Sequence, residues 1–225
     1  SLITLITLCL IGAALFGSTT FLPLYLQVVK GVSPTAAGMQ LLPLMGGVLV
    51  SSITSGRLIS RIGRYRVFPI VGTFIATVAL VLMGTLRDDM PIAVLYGYSA
   101  LLGLGLGMVL QVLILATQNS VDIKLLGVAT SGVTMFRAIG GSVGVSVFGA
   151  IFTHGLQSGV ADIAGSVPMS AHGMGPDALK KLPPAAHDAY IHAFGSSLHT
   201  VYHVAACVIA MAFCLAWWMR DVPLR

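Results

Sequence analysis

Six long apolar stretches, separated by shorter polar segments, constrain this chain more than any other feature of its sequence. A run of about 18 or more apolar residues with few charges is typical of a helix that spans a lipid bilayer. We expect a single domain of six membrane-spanning helices. The expected spans are residues 2–29, 36–59, 67–86, 92–119, 126–154 and 190–219, with one long loop at 155–189. The expected fold class is therefore an all-α, integral membrane bundle.

The composition supports this class. Charged residues make up only 8% of the chain, and glutamate is absent. A soluble domain carries roughly 25% charged residues, so a water-soluble surface is excluded. The net charge of +5 does not indicate nucleic acid, because the basic residues lie between the apolar stretches and form no basic stripe. The three cysteines lie inside apolar stretches without metal-type spacing, which indicates buried structural thiols.

The basic residues also predict the orientation in the membrane. With six spans both ends lie on one side, and cytoplasmic loops carry an excess of Lys and Arg. The loops on the same side as the two termini contain more basic residues than the loops on the other side. The densest group is Arg57, Arg61, Arg64 and Arg66. We therefore expect both termini in the cytoplasm and the loop at 155–189 outside. The first span begins at once without a basic leader, and we expect further residues before Ser1 in the natural protein.

The loop between the second and third spans carries a spaced motif. Its members are Gly56, Leu58, Arg61, Gly63, Arg64 and, just after them, Arg66. The spacing resembles the loop Gly-x-Leu-x-Asp-Arg-x-Gly-Arg-Arg/Lys of the major facilitator superfamily, although Ser60 stands at the Asp position. The resemblance implies a gating loop that helps to lock helices together on the cytoplasmic side. Basic residues alone would also fit an ordinary cytoplasmic loop, or one that holds phosphate headgroups.

Further stretches are similar to the EmrB/QacA type of drug:proton antiporter, a fourteen-helix branch of that superfamily. They are residues 21–27, 31–34, 37–38 and 42–43, then 127–132, Arg137 and 140–141. The resemblance implies that this chain is the C-terminal six-helix half of a major facilitator fold. It also implies that the best-defined proton-coupling acids lie in the other half.

Polar and aromatic side chains within the spans are the candidate substrate contacts. Arg137 lies well inside the fifth span, where a charge normally faces a cavity or a partner, although a structural role between helices would also explain it. Gln111 and Gln118 are seven residues apart and share a helix face, and interhelical hydrogen bonding would explain them equally well. The full set expected to line the path is Phe21, Tyr25, Gln27, Gln40, Met108, Gln111, Gln118 and Arg137.

Two further patterns favour structural interpretations. The fifth span has small residues at Ala138, Ser142, Ser146 and Ala150, and a Gly-x-x-x-Gly pair at Gly140 and Gly144. Both are typical of closely packed helices. His192, His199 and His203 share one face of the last span at spacings that permit a metal or proton site. No carboxylate joins them inside the span, so packing or headgroup contact is the preferred interpretation.

The function predicted from these features is secondary active multidrug efflux by proton antiport. The proton gradient would supply the energy, and no cofactor or metal is expected. The expected partners are the lipid bilayer, an N-terminal transporter half, a hydrophobic or cationic small molecule and a periplasmic adaptor. The expected location is the bacterial cytoplasmic (inner) membrane. The alternatives are a non-transporting fragment or membrane pairing module, and more weakly a metal transporter or an intramembrane enzyme, whose usual Gly-x-Ser-x-Gly context is missing around Ser131.

Overall fold

The computed structural model describes residues 2–63, 65–87, 89–161, 179 and 183–218, and every regular element in them is helical. The helices are α1 (Leu2–Val28), α2 (Pro34–Met39), α3 (Leu42–Ile62), α4 (Val67–Met83), α5 (Ile92–Asn119), α6 (Leu126–Gly159) and α7 (Pro184–Trp217). A 3-10 turn at Ile123–Leu125 leads directly into α6.

Five apolar segments in this part of the chain are long enough to cross a bilayer. They are Ile3–Val28, Pro34–Ile62, Ile92–Asn119, Ile123–Gly159 and Pro184–Trp217. α4 is equally apolar but has 17 residues, which is at the lower limit for a spanning helix. The expected all-α membrane fold of six helices is confirmed.

The second predicted span, 36–59, is divided in the structure. α2 ends at Met39, and α3 begins at Leu42 with Pro43 in its first turn. Proline has no N–H to donate to the preceding turn, so the two helices are not continuous. The third span is also shorter than predicted, because α4 ends at Met83 and not at residue 86.

The last two helices extend into the predicted loop at 155–189. α6 runs to Gly159, and α7 begins at Pro184 instead of at residue 190. Pro184 occupies the first turn of α7, where its missing N–H is not needed. Hydropathy placed this start too late because polar residues such as His187 and Asp188 belong to the helix. The predicted end at 219 lies outside the described residues.

The six long helices form two groups of three. In the first group α5 packs against α3 and α4, and in the second α1, α6 and α7 pack against one another. The groups are joined mainly where α4 contacts α7. α3 and α6 are the least enclosed of the long helices, so each has one packed face and one broad outer face.

Glycines allow a very close contact between α1 and α6. A Cβ on Gly140 would lie 2.2 Å from the main-chain oxygen of Cys9, and one on Gly144 would lie 2.4 Å from Cβ of Ala13. On α1, a Cβ on Gly12 would lie 2.2 Å from the carbonyl oxygen of Arg137. The Gly-x-x-x-Gly pair therefore packs as predicted. The other small residues differ from the prediction, because they lie on the exposed face; they are Ala138, Ser142, Ser146 and Ala150.

Candidate functional site

Arg137 places a positive charge about one third of the way along α6. It is the twelfth residue of α6, roughly 16 Å along the helix axis from the start at Leu126. Its side chain is half-buried and makes no hydrogen bond or ion pair with any residue that the structure describes. Of the seven aspartates, only Asp188 lies within a described helix, in the first turns of α7. The guanidinium is therefore available to a ligand or to another protein segment.

A groove runs along the outer face of α6 on the side where the helix begins. It is a shallow, wide-open depression of about 790 Å³, and all of its lining residues belong to α6. Its walls are apolar or hydroxylated, and the lining residues are Leu126, Gly127, Thr130, Ser131, Thr134, Met135 and Ala138. A second depression of about 740 Å³ follows the turn between α5 and α6 and shares Leu126 with the groove. Together the two form a continuous amphipathic surface at the start of α6, and Arg137 follows Thr134 by three residues on this helix.

The hydroxyl groups of the groove donate their hydrogens to their own helix. Thr130 donates to the oxygen of Leu126 (2.9 Å), Ser131 to that of Gly127 (2.6 Å) and Thr134 to that of Thr130 (3.1 Å). Each hydroxyl oxygen still has acceptor capacity. The groove can therefore accept hydrogen bonds from a ligand while its methyl groups and Met135 provide apolar contact.

Gln118 connects this groove to α5. Its Nε2 donates a hydrogen bond to Oγ1 of Thr130 at 3.1 Å. Gln111, seven residues earlier on the same helix, lies at 3.7 Å from the position of a Cβ on Gly56 and so faces α3. Sequence reasoning expected polar partners for both amides. It did not identify Thr130, Ser131 or Thr134, whose only signal is a run of hydroxyls one or two turns before Arg137.

The remaining residues predicted to line the substrate path are buried or half-buried. Phe21 and Tyr25 are buried, and the Phe21 ring lies 5.7 Å from that of Phe152, which in turn contacts Phe194 at 4.9 Å. These aromatic rings join α1, α6 and α7 within the core. Gln40 is buried at the break between α2 and α3, and its Oε1 has no hydrogen-bond partner among the described residues. Gln27 and Met108 are half-buried.

The predicted gating loop lies at the end of α3. Gly63 ends this helix in the left-handed conformation (φ 71°), and Arg61 and Leu58 are exposed. Ser60 donates to the oxygen of Gly56 within its own helix at 2.9 Å. Arg66 reaches α7, where its Nη2 donates to the carbonyl oxygen of Trp217. Arg64 lies outside the described residues.

The three histidines of α7 do not converge. His203 Nδ1 lies 2.6 Å from the oxygen of His199, one turn earlier, and the His203 ring covers Gly84 at the end of α4. His192 is exposed. In the described part of the chain, no group of three or more His, Cys, Asp or Glu side chains could hold a metal ion. The ring of His203 instead packs against α4.

Comparison with known proteins agrees with this architecture. A sequence profile described as the Major Facilitator Superfamily matches residues 1–145. An uncharacterized MFS-type transporter of Mycobacterium tuberculosis is 40% identical over 95% of this chain and 31% of its own length. The multidrug transporter protein MdtP of Bacillus subtilis is 30% identical over 93% of this chain and 44% of its own length. This chain thus spans less than half of the length of these relatives.

A solved structure gives the same result for the fold. The chain is similar to a bacterial homolog of the human lysosomal transporter Spinster, in an inward-facing and occupied conformation, with a TM-score of 0.74. The match covers 96% of this chain and 48% of that protein at 15% sequence identity. At this identity the likeness concerns the fold, which corresponds to half of a full transporter fold.

Proposed function

Because this chain belongs to the major facilitator superfamily, whose members are transporters and not enzymes, we propose that it lines the substrate path of a multidrug efflux protein. The observation that carries this proposal is the open, hydroxyl-lined groove on the outer face of α6. Arg137, which has no hydrogen-bond partner among the described residues, follows Thr134 by three residues on the same helix. A transport path needs groups that bind a ligand without holding it tightly. Apolar walls with a few hydrogen-bonding groups meet this need for amphipathic compounds.

The proposed partner is an N-terminal half of the same transporter, so that this chain is the C-terminal half. The outer faces of α3 and α6 support this arrangement, since they are the least enclosed surfaces of the long helices. α6 also has small residues there, such as Ala138 and Ser142, which allow another helix to approach closely. Substrate would then pass between the two halves. A periplasmic adaptor remains a further candidate partner.

We also propose that transport is driven by proton antiport across the bacterial cytoplasmic membrane. The described spans contain no carboxylate at the depth of Arg137, so the proton-carrying acids belong to the partner half in this scheme. Arg137 would act on the substrate, or on such an acid, during the exchange of a hydrophobic or cationic compound. The loop at Gly56, Leu58, Arg61, Gly63, Arg64 and Arg66 would act as the cytoplasmic gate.

Efflux of a fluorescent hydrophobic dye from cells that express the full-length protein tests this proposal. Arg137→Gln should slow efflux at equal membrane expression, because it removes the charge without changing the packing of α1 on the α6 backbone. Arg87 is an exposed arginine after α4, and Arg87→Gln is therefore the matched control. This variant should export the dye at the wild-type rate.

Two outcomes would contradict the proposal in different ways. Efflux that continues after an uncoupler has collapsed the proton gradient would refute antiport but not transport. If the wild-type protein moves no dye, and its native mass equals that of this segment alone, the chain is instead a pairing module.

A further inference from the structure

Arg66 joins the start of α4 to the end of α7. It immediately precedes α4, and its Nη2 donates a hydrogen bond to the main-chain oxygen of Trp217, the last residue of α7. Carbonyl groups in the last turn of a helix lack donors from within the helix and carry a partial negative charge. The guanidinium therefore caps α7 and holds the two helix ends together.

The hydrogen-bonding capacity of this guanidinium is only partly used. Nε is buried and has no hydrogen-bond partner among the described residues. Nη1 makes no hydrogen bond to a described residue either, and it is not enclosed by protein. The chain has no glutamate, and no aspartate precedes residue 88. Arg57 and Arg61, both exposed, lie in the last turns of α3 shortly before this position. No described carboxylate forms an ion pair with Arg66, although Asp122 lies at the same end of the bundle in the turn between α5 and α6.

An exposed aromatic surface begins beside the same guanidinium. The Trp217 ring lies 6.3 Å from that of Phe213, which lies 6.1 Å from that of Phe74. Phe74 is 57% exposed and Trp217 is 53% exposed. Phe74 is seven residues beyond Val67 on α4, about 10 Å along the helix, so this surface extends from the helix ends toward the middle of the membrane. We call it the α4–α7 seam.

We propose that the α4–α7 seam binds an anionic phospholipid, with its phosphate on Arg66 and an acyl chain along Phe213 and Phe74. The open Nη1 group can donate a charge-assisted hydrogen bond to a phosphate oxygen, and one basic residue at the membrane surface attracts anionic lipid by about 1 kcal/mol. Tryptophan at a helix end is typical of the headgroup level. Free phosphate would satisfy the cation but would leave the aromatic surface uncovered. The site is separate from the groove of α6 and does not depend on the transported compound.

Native mass spectrometry of the full-length protein tests the site. The protein is purified with equal amounts of phosphatidylglycerol and phosphatidylcholine that have identical acyl chains, and the ratio of the bound lipids is measured. Arg66→Gln should lower the ratio of anionic to zwitterionic lipid by about fivefold. Arg87→Gln, the matched control at the other end of α4, should leave it unchanged.

Further arms separate lipid binding from helix capping. In the wild type, phosphatidylglycerol should raise the melting temperature, and Arg66→Gln should abolish that increase even if it also lowers the melting temperature without lipid. Phe74→Ala leaves the hydrogen bond to Trp217 in place and should still reduce the bound lipid. Excess inorganic phosphate should not displace the lipid.

Four results would overturn the proposal. A lipid ratio that is unaffected by Arg66→Gln would leave Arg66 as a helix cap alone. An equal effect of Arg87→Gln would indicate non-specific attraction, and displacement by phosphate would indicate a simple anion site. If Asp221→Asn raised the ratio of anionic to zwitterionic lipid several-fold, the chain's own tail would be the partner of the arginine in the natural protein.

Discussion

At the residue scale, Gly63 explains why the loop motif needs a glycine at this position. It ends α3 with φ 71°, and its N–H donates to the oxygen of Ile59 at 2.8 Å. This conformation turns the chain sharply, so that Arg66 can precede the next helix only three residues later. Residues with a Cβ rarely adopt it, because the left-handed conformation costs them about 1–2 kcal/mol.

Gly63→Ala should therefore lower the free energy of unfolding by roughly 1 kcal/mol. The control is Gly46→Ala in the same helix, where a Cβ would meet nothing within 4 Å and helix propensity should increase stability slightly. Thermal unfolding of both variants in the same detergent measures the difference. If the two alanines had the same effect, the left-handed cap would not explain the motif.

At this scale the sequence identified the polar side chains within the spans that need hydrogen-bond partners, but it did not identify those partners. A charge at Arg137 and amides at Gln111 and Gln118 are visible because they break apolar stretches. The contact of Gln118 with Thr130 is not visible, since it depends on how α5 and α6 meet at their turn. The same holds for Phe21 and Tyr25, whose aromatic character fits an open wall as well as the buried core they occupy.

At the scale of helices, one face of α6 is fixed by its glycines. Gly140 lies against the backbone of Cys9, so the distance between α1 and α6 cannot adapt to a side chain there. Gly149, nine residues later on the same helix, has open space at its Cβ position. The two positions provide a matched comparison of close packing and helix propensity.

Gly140→Ala should destabilise the protein by about 1–3 kcal/mol, because α1 and α6 must move apart to accommodate a methyl group. Gly149→Ala should be neutral or slightly stabilising. The midpoint of thermal unfolding and the amount of folded protein in the membrane check both variants. Equal midpoints would show that α1 and α6 are not packed as closely as the structure indicates.

Helix existence followed from the sequence, whereas helix ends did not. Apolar length predicts where a chain can cross a membrane. It does not predict the helix ends here, because α6 continues beyond its apolar region to Gly159 and α7 begins before its apolar region at Pro184. Their polar turns are stabilised by the helix and by neighbouring helices. The break between α2 and α3 has a local cause in Pro43, which hydropathy alone does not weigh.

At the scale of the whole molecule, the bundle is two groups of three helices that meet at α4 and α7. α4 matters most for the topology, because it is the shortest of the six long helices, with 17 residues, and links two loops that are predicted on opposite sides. A hydrocarbon core of about 30 Å is slightly longer than such a helix, so the bilayer or the loops must adapt by a few ångströms.

The predicted orientation can be tested on the full-length protein by labelling single cysteines across α4. Cys9, Cys207 and Cys214 are first replaced by serine, and then Ser60→Cys or Arg87→Cys is introduced, both at exposed positions. Since the basic loop should face the cytoplasm, a membrane-impermeant maleimide should label Arg87→Cys in intact cells and Ser60→Cys only after permeabilisation. The reverse pattern would invert the orientation. If both cysteines reacted in intact cells, α4 would not span the membrane, and the six-span topology would be wrong at its shortest span.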